Sequence, residues 1–237
     1  MSWRLHVKAT AEVPVRIVSL IPSVTETLSE WDRPPIACTR FCERPDLLHV
    51  GGTKNPDVDL IVELRPDLVV MDSEENRRQD HVYLVSQNIP VHVLHVRSLL
   101  DVGPSLSTLA ERLGVPWSPP TLIAPSARQV TAFIPIWRRP WMALGTPTYG
   151  ASLLAHLGIT TIFDADGPYP TIDLNQTSER RPNLVIAPSE PYPFSARHLR
   201  ELERVACTIF VDGKDLFWWG VRTEGALTRL AEVFATL

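Results

Sequence analysis

Three acidic side chains directly follow an apolar run in the first half of the chain. In RPDLVVMDSEE (65–75), four consecutive apolar residues precede Asp72, and Glu74 and Glu75 come soon after. A run of this length that opens after Pro-Asp is typical of a strand buried on both faces. A near copy, RPNLVIAPSEP (181–191), repeats the form R-P-x-L-V-x-x-x-S-E. The pattern therefore predicts carboxylates at the carboxyl ends of two buried strands.

Acid–base catalysis is one chemistry that a carboxylate with a perturbed pKa can perform. Solvated loop acids are the commoner reason for such a cluster. The sequence contains no G-x-S-x-G, H-E-x-x-H or P-loop motif, and GGTKNP (51–56) lacks the Lys-Ser/Thr pair that phosphate binding requires. We therefore expect a binding protein rather than an enzyme, with no catalytic residues.

A bare metal site would need several ligands on one face of a cleft. His92 and His95 lie three positions apart, so on a strand they point to opposite faces. Cys38 and Cys42 have a spacing unlike C-x-x-C, and no second pair accompanies them. The sequence therefore predicts no direct metal ligands, while a metal already held in an organic chelate is compatible with it.

The bulk composition narrows the class of partner. The 237 residues carry 23 basic and 27 acidic side chains, for a formal net charge of −4, whereas a nucleic-acid-binding domain normally shows a basic stripe. The three cysteines are an odd number and indicate reduced thiols rather than a disulfide framework. No apolar segment reaches the roughly 18 residues that span a membrane, and no signal peptide is seen. We expect a cytoplasmic monomer, or a periplasmic or cell-surface protein if a signal was removed.

The two halves of the chain repeat one plan, which predicts two α/β lobes. RIVSLIPSVTETL and WMALGTPTYGASLL each have the pattern of a strand, a Pro-Ser or Pro-Thr turn and a helix, and each precedes an R-P-x-L-V strand. Ser23 and Glu26 form a capping-box pattern, so a helix is expected to begin at Ser23. The expected fold class is α/β: two Rossmann-like lobes with parallel sheets, joined by a single linking helix, with a ligand cleft between the lobes.

The expected domains are an N-terminal extension at 1–14, a first lobe at 15–116, a connecting helix at 117–134 and a second lobe at 135–237. The helix itself is predicted from about Thr121 to Phe133, because a flexible linker would usually be richer in Gly and Ser. Pro125 would then lie within the first turns of the helix, where proline is tolerated.

In open parallel sheets ligands bind outside the carboxyl ends of the strands, so loops after the predicted strands should ring the cleft. The expected ligand-binding residues of the first lobe are Ser23, Thr25, Arg40, Ser73, Glu75 and Arg77. Those of the second lobe are Tyr149, Tyr169, Tyr192, Trp218, Trp219 and Arg222. The aromatic side chains favour a large, flat, partly apolar ligand. The alternative is that Phe217, Trp218 and Trp219 pack as a plug on the second lobe.

Four segments closely resemble the helical-backbone (class III) substrate-binding proteins, and within them the vitamin B12-binding-like branch. The segments are RIVSLIPSVTETL, NPDVDLIVELRPDLVVMDSEENR, YGASLLAHLGITTIF and YPTIDLNQTSERRPNLVIAPSEP. The resemblance runs from about Val15 to the C-terminus. It implies two α/β lobes joined by one long helix, with a ligand held between them. Members bind cobalamin, iron–siderophore complexes, haem or bare metal ions and pass them to a membrane importer.

The resemblance implies a metal chelate as ligand, most simply cobalamin or another corrinoid, and no permanently bound cofactor. The alternatives are an iron–siderophore or haem ligand, or a cytoplasmic enzyme that processes a tetrapyrrole or metal chelate. Exported members present a glutamate on each lobe to importer arginines, and Glu74 (or Glu75) and Glu190 are the nearest matches. An ABC importer permease is the partner so implied. This chain departs from exported members because it shows no signal peptide or lipid anchor, which favours storage, hand-over or sensing in the cytoplasm.

Overall fold

The computed structural model describes residues 15–235, so the predicted N-terminal extension (1–14) lies outside the described residues. Within this range the chain forms two parallel sheets, one in each half, with helices between the strands. The predicted fold class of two α/β lobes with parallel sheets is therefore confirmed. Among the described residues, no helix is long and apolar enough to cross a membrane.

The first lobe is built around a five-stranded sheet. Its strands are β1 (Ile17–Ser19), β2 (Ala37–Cys38), β3 (Leu48–His49), β4 (Leu68–Asp72) and β5 (Val91–Leu94). Its helices are α1 (Pro22–Glu30), α2 (Val58–Leu64), α3 (Arg78–Ser86) and α4 (Val102–Leu113), and a 3-10 turn at Leu99–Asp101 precedes α4. The strand order is β3-β2-β1-β4-β5 and every neighbouring pair is parallel. All five residues of β4 are buried, as expected of an interior strand covered on both faces.

The second lobe is built around a four-stranded sheet. The strands of this half are β6 (Val130–Phe133), β7 (Pro135–Arg138), β8 (Trp141–Ala143), β9 (Ile159–Thr161), β10 (Leu184–Pro188) and β11 (Thr208–Val211). The helices are α5 (Tyr149–His156), α6 (Leu174–Glu179), α7 (Leu199–Leu202), α8 (Gly213–Phe217) and α9 (Thr223–Ala235), with a 3-10 turn at Ala196–His198 before α7. The order is β11-β10-β6-β9, and all three pairings are parallel.

The internal repeat predicted that the segment WMAL is the first strand of the parallel sheet in the second lobe. The structure shows that it is not. It forms β8, which pairs antiparallel with β7 in a separate two-stranded sheet. Its place in the parallel sheet is taken by β6, between β10 and β9. Val130, Thr131 and Phe133 are β-branched or aromatic residues, and such residues favour a strand over a helix.

The predicted connecting helix at 117–134 is wrong. Residues 115–129 contain no helix or strand, and the rest of the predicted helix is β6. Proline explains the difference, because it lacks an amide hydrogen and keeps the residue before it out of the helical region. The four prolines of this linker are Pro116, Pro119, Pro120 and Pro125.

One apolar core runs through both lobes. Buried side chains of α1, β4 and α4 in the first lobe and of α5, β10 and α9 in the second belong to the same cluster. Two smaller clusters each lie within a single lobe. The irregular linker packs on the shared core, since the rings of Trp117 and Trp31 lie 5.2 Å apart. The lobes are therefore held by direct apolar packing rather than by a helix.

Candidate functional site

A narrow cavity of about 50 Å³ lies between the two lobes. Its first-lobe wall is formed by residues that follow or end β4 and β5, and its second-lobe wall by residues that follow β8, β9 and α8 or begin α5. The lining residues are Asp72, Glu74, Glu75, Val96, Arg97, Leu144, Thr148, Tyr149, Gly150, Tyr169, Phe217 and Trp219. Carboxyl ends of parallel strands thus contribute to the cavity, as the topology of open α/β sheets predicts.

Asp72, the last residue of β4, supplies a buried oxygen without a partner. The residue is 1% exposed. The backbone N–H groups of Glu74 and Glu75 donate to its Oδ1 at 2.8 and 3.3 Å. Its Oδ2 has no hydrogen-bond partner among the described residues. Burial raises the pKa of the carboxyl group to about 6, although the backbone amides of Glu74, Glu75 and Val96 oppose the rise.

The other two acids of the first-lobe wall have different surroundings. Glu74 forms an ion pair with Arg97, whose guanidinium lies 2.6 Å from Oε1. Glu75 is an exposed residue, but the protein around its carboxylate keeps water from it and so raises its pKa. The charge of Lys54 opposes this rise, and the charge of Glu74 adds to it. The first-lobe wall therefore carries three carboxyl groups and one cation, Arg97, and the charge of Lys54 lies close by.

The second-lobe wall is largely aromatic. Tyr149 begins α5 and is 5% exposed, and its hydroxyl lies 3.3 Å from Oγ1 of Thr223. Trp219 is buried and belongs to the shared core, whereas Tyr169, in the loop after β9, is 43% exposed. Burial raises the pKa of both tyrosines, and the charge of Glu75 adds to the rise at Tyr169. Both hydroxyls therefore stay protonated at neutral pH.

Gly145 fixes the loop that carries Tyr169. Its N–H donates to the carbonyl of Pro168 at 2.9 Å. A Cβ at this position would lie 2.1 Å from the carbonyl oxygen of Gly167 and 2.6 Å from that of Phe163. Both contacts involve backbone atoms, so a methyl group fits only if the loop moves.

Gly145→Ala is therefore expected to displace the Tyr169 loop and to lower the free energy of unfolding by about 1–3 kcal/mol, the usual cost of overpacking. Urea denaturation measures the loss. Gly225→Ala is the control, because a Cβ there would meet no backbone atom and only the far end of the long Arg229 side chain. Equal effects of the two substitutions would contradict the steric role of Gly145.

Ser23 and Thr25 lie in α1 but not in the cavity wall. The helix begins at Pro22, one residue earlier than predicted, and the predicted capping box does not form. The reason is that proline is pre-organised for the first helical position. Thr25 is buried, and its Oγ1 lies 3.1 Å from the carbonyl of Ile21 and 3.2 Å from Sγ of Cys42, inside its own lobe.

Three more of the expected first-lobe ligands also lie outside the cavity wall. Arg40 is exposed and covers the ring of the next residue. Ser73 Oγ lies 2.6 Å from Nδ1 of His95. Arg77 pairs with Asp80 of α3 at 2.8 Å. Of the six residues expected in the first lobe, the structure brings Glu75 to the cavity.

The second lobe brings Tyr149, Tyr169 and Trp219 to the cavity but not the other three expected residues. Tyr192 packs edge-on against Trp137, with ring centroids 5.5 Å apart. Trp218 donates from Nε1 to the Glu190 carboxylate at 2.9 Å, so this acid already has a partner within the lobe.

Arg222 joins the two lobes. Its guanidinium donates to both carboxylate oxygens of Glu26 in α1, at 2.8 and 2.9 Å. A third bond, of 3.1 Å, reaches Asp215 in α8. Glu26 was expected to cap α1, and it instead forms this inter-lobe pair.

The set of expected ligand-binding residues did not include Asp72 or Arg97, which line the cavity. Arg97 follows β5, which lies beside β4 in the sheet, so the rule on carboxyl ends would have found it once the strand order was known. The acidic cluster drew attention to Asp72, but its single unpartnered oxygen is visible only in three dimensions.

The described residues contain no group of three His, Cys, Asp or Glu side chains arranged to hold a metal ion. A larger hollow of about 340 Å³ lies on the second lobe between Arg138, Arg139, Pro140, Trp141 and Glu201. It is wide open to solvent, and Arg138 already pairs with Glu201 at 2.9 Å. The cleft is the stronger candidate site, because it combines a buried free acceptor with aromatic walls contributed by the other lobe.

No family model matches the chain. A curated relative from Pectobacterium carotovorum subsp. carotovorum (strain PC1), named vitamin B12-binding protein, is 24% identical over 212 residues, covering 77% of this chain and 74% of the relative. The periplasmic vitamin B12 binding protein BtuF of Vibrio cholerae superposes with a TM-score of 0.75 at 15% identity, over 94% of this chain and 98% of that one.

The periplasmic heme-binding protein RhuT from Roseiflexus sp. RS-1 gives a TM-score of 0.76 at 16% identity, over 94% of this chain and 99% of that one. These comparisons confirm the resemblance to the helical-backbone substrate-binding proteins. The structural likeness extends over nearly the whole chain and establishes the two-lobed fold.

Proposed function

We propose that this chain binds a metal chelate, most simply cobalamin or another corrinoid, in the cleft between its two lobes. The observation that carries the proposal is the cleft itself, where an acidic wall with a free acceptor faces the aromatic residues Tyr149, Tyr169 and Trp219. Curated relatives named vitamin B12-binding protein support the same ligand class.

Ligand binding requires the walls of the cleft to move apart. The cavity has about 50 Å³, whereas pockets for drug-sized ligands usually have about 300–1,000 Å³. Tyr169 is the half-exposed part of the wall and lies in an irregular loop, so this loop is the element that we expect to move. A macrocycle would then lie across the opened cleft, with one edge against the acidic wall and one face against the aromatic rings.

A haem ligand is the second candidate, since heme-binding proteins are among the solved structures of the same fold. An enzyme that processes a tetrapyrrole is less well supported: the curated relatives are binding proteins. The raised pKa values of Asp72 and Glu75 are caused by burial, so they do not by themselves indicate turnover.

We further propose that the bound ligand could be passed to an ABC importer permease in a later step. Glu190 is the better of the two expected docking acids, because it is half-buried outside the cavity wall. Glu74 is engaged by Arg97 inside the cleft. A permease would have to compete with Arg97 for Glu74 inside the cleft and with the Trp218 indole for Glu190 nearer the surface.

Calorimetric titration with cobalamin and with cobinamide tests the proposal. We expect one site per chain and quenching of tryptophan fluorescence, because Trp219 lines the cleft. Trp219→Phe should reduce the quenching, because it removes the indole in the cleft, and should weaken binding, because a phenyl ring buries less area against a macrocycle than an indole. Trp137→Phe, which alters an exposed ring outside the cavity wall, is the control.

The corrinoid proposal would be refuted if neither corrinoid gave binding heat or fluorescence quenching at high micromolar concentration. The conclusion on the fold would stand. Binding of haem but not of corrinoids would favour the second candidate. A spectral sign of metal insertion or loss, absent from Glu75→Gln, would favour the enzyme.

A further inference from the structure

Asp72 holds a carboxylate in one orientation at the bottom of the cleft. Two backbone amides bind its Oδ1, and Asn76 Oδ1 accepts the N–H of Asp72 itself at 2.9 Å. Asn76 is fixed in turn, because its Nδ2 donates to the carbonyls of Leu20 and Thr53 at 3.2 and 3.0 Å. The carboxylate is therefore fixed in position. Oδ2 has no hydrogen bond of good geometry among the described residues, although the backbone N–H of Val96 lies close enough to the carboxylate to help lower its pKa.

A buried acceptor without a partner is unfavourable for folding. Such an oxygen has lost its hydration without gaining a well-formed hydrogen bond in return, and the loss is larger when the group is charged. Natural proteins satisfy most buried polar groups, so an exception that lines a binding cleft points to a group supplied from outside. The missing group must be a hydrogen-bond donor.

The charges around Asp72 restrict the kind of donor. Glu74 and Glu75 add two further carboxylates, against the cations Arg97 and Lys54. Arg97 is already paired with Glu74, and Lys54 Nζ donates to the backbone carbonyl of Glu74 at 2.5 Å. The carboxyl groups here outnumber the cations, and both cations are already bound, so an incoming carboxylate would find no free cation, whereas an uncharged N–H group would be accepted.

We infer that Asp72 is the specificity-determining contact of the cleft, whose free Oδ2 accepts an N–H from an amide on the ligand edge and disfavours ligands edged with carboxylates. The inference rests on the proposed chelate-binding function and states which chelates the cleft prefers. Corrinoids with primary amide side chains fit this wall. A haem, which carries two propionate carboxylates, does not.

The affinity for an amide-edged ligand should therefore depend on pH. Asp72 must be ionised to accept the amide well, and its pKa is raised to about 6 by burial. Affinity is therefore full above that pH and falls as the carboxyl takes up its proton, by up to about tenfold per pH unit. The ionisable groups that surround Asp72 are Glu74, Glu75, Arg97, Lys54 and Tyr169. Tyr169 stays neutral in this range because its pKa is raised.

The test compares two probes that differ in the charge of the edge. Dicyanocobinamide carries amides, and dicyanocobyrinic acid carries carboxylates in their place. We expect the parent protein to bind the amide form about a hundredfold more tightly, and Asp72→Asn to lose about tenfold or more of that preference, as for a hydrogen bond to a charged group. Glu63→Gln removes an exposed acid of α2 outside the cavity wall and should leave the preference unchanged.

The outcomes separate the two proposals. If the parent binds neither corrinoid, both fail. If parent and Asp72→Asn bind the amide form with equal affinity, the role of Asp72 fails and chelate binding stands. The variant should fold, because asparagine retains an oxygen for the two backbone amides, and thermal unfolding checks this. Should it not fold, an affinity of the parent for dicyanocobinamide that is constant from pH 5 to pH 8 overturns the inference by itself.

Discussion

Leu99→Ala is expected to lower the free energy of unfolding by about 3 kcal/mol and to weaken both lobes together. Leu99 is 3% exposed and belongs to the apolar core that the lobes share. It lies in the 3-10 turn of the first lobe, and its N–H donates to Oγ of Ser152 in α5 of the second lobe at 3.1 Å. Truncation therefore opens a cavity at the contact between the lobes.

Hydrogen exchange read separately in β4 and β10 measures the effect in each lobe. Because the core is continuous, we expect the protection of both strands to fall by the same amount. Leu100→Ala is a matched control, since the neighbouring side chain is 72% exposed and its loss should change stability by less than about 0.5 kcal/mol. A fall confined to β4 would show that the lobes unfold independently.

The sequence was most informative where a local pattern and the tertiary structure agree. The apolar run Leu68–Met71 forms the first four residues of β4, and its near copy Leu184–Ala187 forms the first four residues of β10. The apolar composition alone predicts both strands, because a parallel strand that is buried on both faces is a nearly continuous apolar run. The doubled plan likewise predicted two lobes and a cleft at the carboxyl ends of the strands.

The segment between the lobes shows how a feature of the fold was predicted wrongly. A helix at 117–134 was inferred from the poverty of Gly and Ser, but the absence of flexible residues is not a signal for helix. Proline content was the stronger signal, since each proline restrains two residues against helix formation. Packing on the shared core, rather than a hydrogen-bonded ladder, holds this irregular segment in place.

The site was predicted at the level of loops and not of side chains. Reasoning from strand ends found the loops of Glu75, Tyr149, Tyr169 and Trp219, which do line the cavity. It could not tell which neighbouring side chain turns inward: Trp218 and Trp219 are adjacent, yet one bonds Glu190 and the other lines the cleft. That choice depends on partners distant in sequence, which no local pattern contains.

Arg222→Leu is expected to lower the free energy of unfolding by about 3 kcal/mol, the lower end of the range for breaking a buried ion pair. Arg222 links Glu26 of the first lobe to Asp215 of the second, and the Asp215 side chain is 6% exposed. The substitution leaves Glu26 without its partner and leaves Asp215 with Arg229 alone, at 2.6 Å. The loss stays at the lower end because Arg229 still neutralises the more deeply buried acid.

A double-mutant cycle with Glu26→Leu isolates the inter-lobe part of this energy. Chemical denaturation of the parent, the two single variants and the double variant gives a coupling energy, which we expect to exceed about 1 kcal/mol because the pair is bidentate and partly shielded from solvent. Arg44→Leu is the control, since its pair with Asp46 lies within one lobe and the Asp46 side chain is 58% exposed. It should cost less than about 1 kcal/mol. If Arg222→Leu costs no more than Arg44→Leu, the Arg222 cluster does not hold the lobes together, and the apolar core alone sets how far the cleft can open.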